Sequence, residues 1–105
     1  MPSSEVNYLD AVAALIRSYV PTEVVPREDT DLLFRIYAVL VMAGGESVTP
    51  ADVHNAWVAW RLERDQGHDA FVPFEDLPAD VAREDMPFVT AIRKAAQELS
   101  SRGID

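Results

Sequence analysis

Apolar residues recur along this chain at steps of three and four, the spacing of one helical face, and nowhere alternate long enough for a sheet. Tyr8, Leu9, Val12, Leu15, Ile16 and Tyr19 predict a first helix from about Ser4 to Val20. Pro21 ends it, because proline disfavours helix in the residue before it. A polar connector, Thr22 to Asp29, leads to a second helix over about 31–43, capped by Asp29 or Thr30 and with Asp31 at its positive end. Leu32, Leu33, Ile36, Tyr37, Val39, Leu40, Val41 and Met42 make that helix apolar nearly all round, as suits the central helix of a bundle. Gly44-Gly45 supplies its stop.

Thr49-Pro50-Ala51-Asp52 is the clearest local signal. Thr49 caps, Pro50 takes the first helical position, and Asp52 bonds back to the cap as glutamate does in a capping box. The third helix then runs over about 50–65, with Gly67 as terminator. Residues 66–78 read as an irregular loop in which Phe71-Val72-Pro73-Phe74 is an apolar plug, and Ala79 to Glu84 as a single helical turn. Asp85 caps a last helix over about 86–101, with Pro87 tolerated in its first turn and Phe88, Val89, Ile92, Ala96 and Leu99 as its core stripe. The fold class expected is all-α: one four-helix, bundle-like domain over 1–105 with a structured loop between the third and last helices.

Composition narrows the function classes. A chain of 105 residues suits one hydrophobic core, and 49% apolar residues is ordinary for a globular protein. With no cysteine, disulfides, thiolate metal sites and cysteine nucleophiles are excluded. The longest apolar run, Ile36 to Ala43, is far short of the roughly 20 residues of a membrane helix. Met1-Pro2-Ser3-Ser4-Glu5 has no basic stretch before an apolar core, so no secretory signal is expected and a cytoplasmic location is. The formal charge is −9, and the bases (eight Arg, one Lys) are spread along the chain, which disfavours nucleic acid and anionic membrane as partners. The bias to Arg, Ala, Val and Asp is that of GC-rich coding sequence, as in an actinobacterium or its phages.

Candidate chemistry gathers on the third helix and the loop after it. His54, Trp57 and Arg61 stand at i, i+3 and i+7, so they share a face that would stack a planar ligand and bond its edges. Trp60 sits beside that stripe. The loop should fold over the third and last helices as a lid, with Phe74 beneath and His68, Asp69, Glu75 and Asp76 at the rim. Between Glu63 and Asp85 lie eight acids and two bases, a net −6. Such a patch, with Glu63, Asp65, Asp69, Glu75 and Asp76 foremost, would steer a basic protein partner. The string Asp65, His68, Asp69 lacks the alternating oxygen ligands of a calcium loop, and two histidines are too few for a zinc site without added carboxylates. No nucleophile elbow, phosphate loop or paired-histidine metalloprotease motif occurs, so neither catalysis nor a cofactor is expected.

From Val53 to Gly103 the chain resembles the ryanodine-receptor repeat, a helical module also found in bacterial and phage proteins. The resemblance rests on His54 and Trp57, on His68, on Val72-Pro73-Phe74-Glu75-Asp76-Leu77-Pro78, and on Asp85 before the final helix. Phe74 stands where that family usually has tyrosine, and its aromatic glycine segment before the histidine and its lysine-rich stretch after the loop are missing. The whole chain is also similar to short proteins of actinobacteria and their phages. The resemblance implies a nucleotide-like ligand; the residues that would hold a small molecule are His54, Trp57, Arg61, His68 and Phe74. The residues themselves leave two readings open: a non-catalytic, acidic protein-binding accessory factor, or a small-molecule module. The uniformly apolar second helix fits either a four-helix core or a homodimer face.

Overall fold

The computed structural model describes residues 7–63 and 71–102, and it is all-α, with no strand among the described residues. Four main helices, α1 (Tyr8–Ser18), α2 (Asp31–Gly44), α3 (Pro50–Leu62) and α5 (Met86–Ser101), are joined by short connections, with α4 (Ala79–Ala82) a single turn before the last. Three-residue 3₁₀ turns occupy Thr22–Val24, Gly45–Ser47, Phe74–Asp76 and Arg83–Asp85.

The first three main helices start where side chains satisfy free backbone N–H groups. Asn7 accepts from the Asp10 N–H at 2.8 Å and caps α1; Ser4, where the sequence put its start, lies outside the described residues. At Thr49 the full capping box forms: its hydroxyl accepts from the Asp52 N–H at 3.1 Å, and the Asp52 carboxylate accepts from the Thr49 N–H at 2.9 Å. Thr30 occupies the cap position of α2 without a side-chain bond, and Asp29 instead accepts from the Asp31 N–H at 3.0 Å. Gly45 ends α2 at φ 56° and ψ −132°, a conformation closed to most L residues.

The second helix is central, packing on α1, α3 and α5. Leu33, Phe34, Tyr37, Ala38 and Val41 are its buried residues. Its remaining apolar residues do not all go inward, since Leu32, Val39 and Met42 are exposed. Phe34, Tyr37 and Phe88 form an aromatic cluster across α2 and α5, with centroids 5.6 Å apart edge to face for Phe34–Tyr37 and 5.7 Å for Tyr37–Phe88. Ile16, Leu33, Val53, Trp60 and Ile92 are wholly buried around it, each worth about 1.5–3 kcal/mol of burial or more. Exposed ion pairs, Arg35–Asp10 at 2.6 Å and Arg17–Asp31 at 3.4 Å, clip α1 to α2 and add at most about 1 kcal/mol each. The Arg93 Nε–H donates to the Val48 carbonyl at 2.9 Å, tying the turn before α3 to α5. No helix among the described residues is long and apolar enough to cross a membrane.

Candidate functional site

The third helix carries apolar and polar groups on one inward side. Val53, His54, Ala56 and Trp60 are buried and Trp57 is half-buried. The two tryptophans, three positions apart, therefore part company: Trp60 is sealed at 0% exposure while Trp57 looks onto a cleft. His54 stacks on Trp57 at 6.0 Å with the rings 20° from parallel, and Phe74 leans on His54 at 6.2 Å. Phe71 meets Trp57 at 5.9 Å. Phe71 and Phe74 thus pack on α3, as an apolar plug folded over that helix would.

A pocket of about 480 Å³ opens between α2, α3 and the segment leading into α5. Leu33 and Tyr37 line it from α2, His54, Trp57 and Arg61 from α3, and Pro87 and Phe88 from α5. Val24 and Pro26 close one side, and Leu77, Val81, Glu84 and Asp85 the other. Its walls are mainly apolar, with a few polar groups, the usual make-up of a small-molecule site.

The polar groups are specifically placed. Nε2 of His54 lies 2.7 Å from the Val72 carbonyl oxygen, which only accepts, so that nitrogen carries the proton and donates. The other ring nitrogen, Nδ1, then faces Asp85 at 3.7 Å, too far for a hydrogen bond but near enough for charge to act. Burial pushes the Asp85 carboxyl up to about 6; His54 opposes the shift and Glu84 adds to it. Burial, and secondarily the charge of Asp85, also raises the Tyr37 hydroxyl above its ordinary value. Tyr37 is 1% exposed and its hydroxyl has no hydrogen-bond partner among the described residues.

Arg61 is spent in part. Its Nη1 donates to both carboxylate oxygens of Glu28, at 2.7 and 3.1 Å, and its guanidinium lies over Trp60 at 4.8 Å and Trp57 at 5.8 Å. Its buried Nε has no hydrogen-bond partner among the described residues.

Of the residues expected to hold a ligand, His54, Trp57 and Arg61 line one pocket, and Phe74 stands behind His54 rather than in the pocket wall. His68 lies outside the described residues, as do Asp65 and Asp69 of the expected acidic patch. Glu63 ends α3, and Glu75 and Asp76 sit in the Phe74–Asp76 turn, all three exposed. Among the described residues no three His, Asp or Glu side chains converge as a metal site would require. Asp85 departs from expectation: it precedes α5 but makes no capping bond, because its backbone is already helical and its carboxylate turns inward to His54. Tyr37 and Asp85, the pocket's free polar groups, were legible in the sequence only as a core residue and a cap.

A family model described as Domain of unknown function (DUF7701) matches residues 7–97. The chain belongs to that family. This corrects the resemblance to the ryanodine-receptor repeat over 53–103, since the match runs across α1 to α5 and is to a different family. The shared stretch, Val72 to Pro78, has a local explanation: two prolines bracket a 3₁₀ turn whose Phe74 packs on His54. Neither a curated protein nor a solved structure matches the chain.

Proposed function

We propose that this protein is a non-catalytic binding module whose ligand is a small molecule seated in the α2–α3–α5 pocket, its flat part against Trp57. One observation carries the reading: Trp57 is held half-open beside a formed pocket, although its neighbour Trp60 shows that the core has room to seal an indole completely. The polar groups within reach, Tyr37, His54 and Asp85, are the few fixed groups that orient a ligand. Binding is favoured over catalysis because the described residues lining the pocket offer no serine, threonine or lysine nucleophile for the Nδ1 lone pair of His54 to activate. A nucleotide's base and sugar suit the walls better than its phosphates do, because Glu84 and Asp85 line the pocket and Arg61 is paired with Glu28.

The test is a titration with neutral nucleosides and flat heterocycles, followed by ¹H–¹⁵N correlation spectra. Saturable shifts of the Trp57 indole and of amides around His54 are expected, with the Trp60 indole unmoved. Native mass spectrometry of the protein isolated from a GC-rich actinobacterial host is the complement, a small added mass supporting this reading. A second reading, an acidic adaptor for a basic protein, is favoured by the exposed acids Glu63, Glu75, Asp76, Asp80 and Glu84. A protein-sized addition in the same spectrum would favour it instead.

A further inference from the structure

The pocket's polar atoms have a chemical bias. Asp85 has no hydrogen-bond donor among the described residues, and its nearest cationic candidate, His54 Nδ1, stands off at 3.7 Å. Tyr37 contributes a hydroxyl with no hydrogen-bond partner among the described residues. Glu84 adds a second carboxylate to the lining, while Arg61, the one guanidinium among the described lining residues, is already neutralised by Glu28 at 2.7 Å. Around these groups Trp57 and Phe88 present aromatic rings, and Leu33, Leu77 and Val81 aliphatic surface. An anion would meet the carboxylates of Glu84 and Asp85, with the Arg61 guanidinium already paired. A wholly apolar molecule would cover a carboxylate and a hydroxyl without giving either a partner, and the site would lose by closing over it.

We propose that the pocket selects a small organic cation, a flat or apolar body bearing an amidinium or ammonium group, with the charged nitrogen placed between the Asp85 carboxylate and the Tyr37 hydroxyl. The nitrogen's N–H groups supply the donors Asp85 lacks, and at least one of them is accepted by Tyr37. The body lies against Trp57, where the ring face also attracts positive charge. This rests on the reading of the pocket as a ligand site and specifies which ligands it takes.

Three isosteric probes separate the cases: benzamidine as cation, benzamide as neutral form and benzoate as anion. Titrated at about pH 7.5 and followed by the Trp57 indole signal, benzamidine is expected to bind at least about tenfold more tightly than benzamide, and benzoate not at all. In Asp85→Asn that preference should collapse to within about threefold, and Tyr37→Phe should weaken benzamidine more than benzamide. Both variants are checked for native spectra first. If Asp85→Asn does not fold, the pH profile of the parent serves in its place. Benzamidine binding should strengthen as pH rises through the titration of Asp85, while benzamide binding stays flat. The titratable groups facing Asp85 are His54 from α3, Tyr37 from α2 and neighbouring Glu84.

Equal affinity for benzamidine and benzamide, or preference for benzoate, would overturn the cation assignment while leaving a ligand pocket in place. Silence from all three probes would also overturn it. The pocket reading itself falls only if the neutral nucleosides and heterocycles leave the Trp57 signal unmoved as well.

Discussion

Nδ1 of His54 and a carboxylate oxygen of Asp85 stand 3.7 Å apart with no hydrogen bond between them. Because Nε2 holds its proton for the Val72 carbonyl, the two atoms that face each other are both acceptors unless one gains a proton. Burial raises the Asp85 carboxyl to about 6, with His54 opposing the shift and Glu84 adding to it. A carboxyl raised on folding favours the protonated protein. Its contribution is therefore fully present below the ordinary carboxylate range and is lost as pH rises toward and through about 6. Asp85→Asn, which cannot ionise, should gain stability relative to the parent between about pH 4 and pH 7, by about 1–2 kcal/mol after allowance for solvent screening. Urea unfolding of both proteins at the two pH values checks this, and a constant difference would remove Asp85 as a strained group.

Trp57 and Trp60 should differ in what their removal costs. Trp60→Ala empties a fully enclosed site and should cost about 3–5 kcal/mol. Trp57→Ala gives up contacts with His54 and Phe71 at a partly open position and should cost roughly half as much. Equilibrium denaturation of the two variants gives the comparison. A Trp57→Ala cost equal to that of Trp60→Ala would place Trp57 in the core and weaken the pocket reading.

The reciprocal bonds between Thr49 and Asp52 predict a coupled pair. Thr49→Ala should destabilise the protein by about 1–2 kcal/mol, and Asp52→Ala by a similar or smaller amount. The double variant should cost less than the two together, because either change leaves half of a box. Strict additivity in a thermal or urea cycle would mean that the two bonds act independently.

At Gly45 the backbone has φ 56° and ψ −132°, the mirror image of an ordinary extended conformation. A Cβ added there would meet nothing within 4 Å, so any penalty is conformational rather than steric crowding. Gly45→Ala should cost about 1–3 kcal/mol. D-alanine introduced by chemical ligation should instead be neutral or stabilising, and an equal loss from both enantiomers would show that the backbone angle is not the cause.

The helices were legible because their signals are local. The capping box at Thr49, the glycine stop at Gly45 and the apolar girdle of α2 each act within a turn or two of sequence, and the four main helices fall where those signals put them, with ends shifted by a few residues. The aromatic face of α3 was legible for the same reason, since His54, Trp57 and Arg61 needed only helical geometry to share a side. The family resemblance misled because it weighed a short proline-bounded turn, which many helical folds can use. What stayed hidden depends on tertiary approach. Tyr37 reads as one more core aromatic until Asp85 arrives beside it from 48 positions along the chain. Asp85 in turn reads as a cap until the preceding 3₁₀ turn sets its backbone helical and swings its carboxylate inward.

The bond from His54 to residue 72 has one more consequence. It is received by a main-chain oxygen, so the side chain of Val72 has no part in it. Position 72 can change identity without unlocking the imidazole, whereas His54 has few substitutes. The lock is therefore written in only one of its two residues, and covariation between the pair would not betray it.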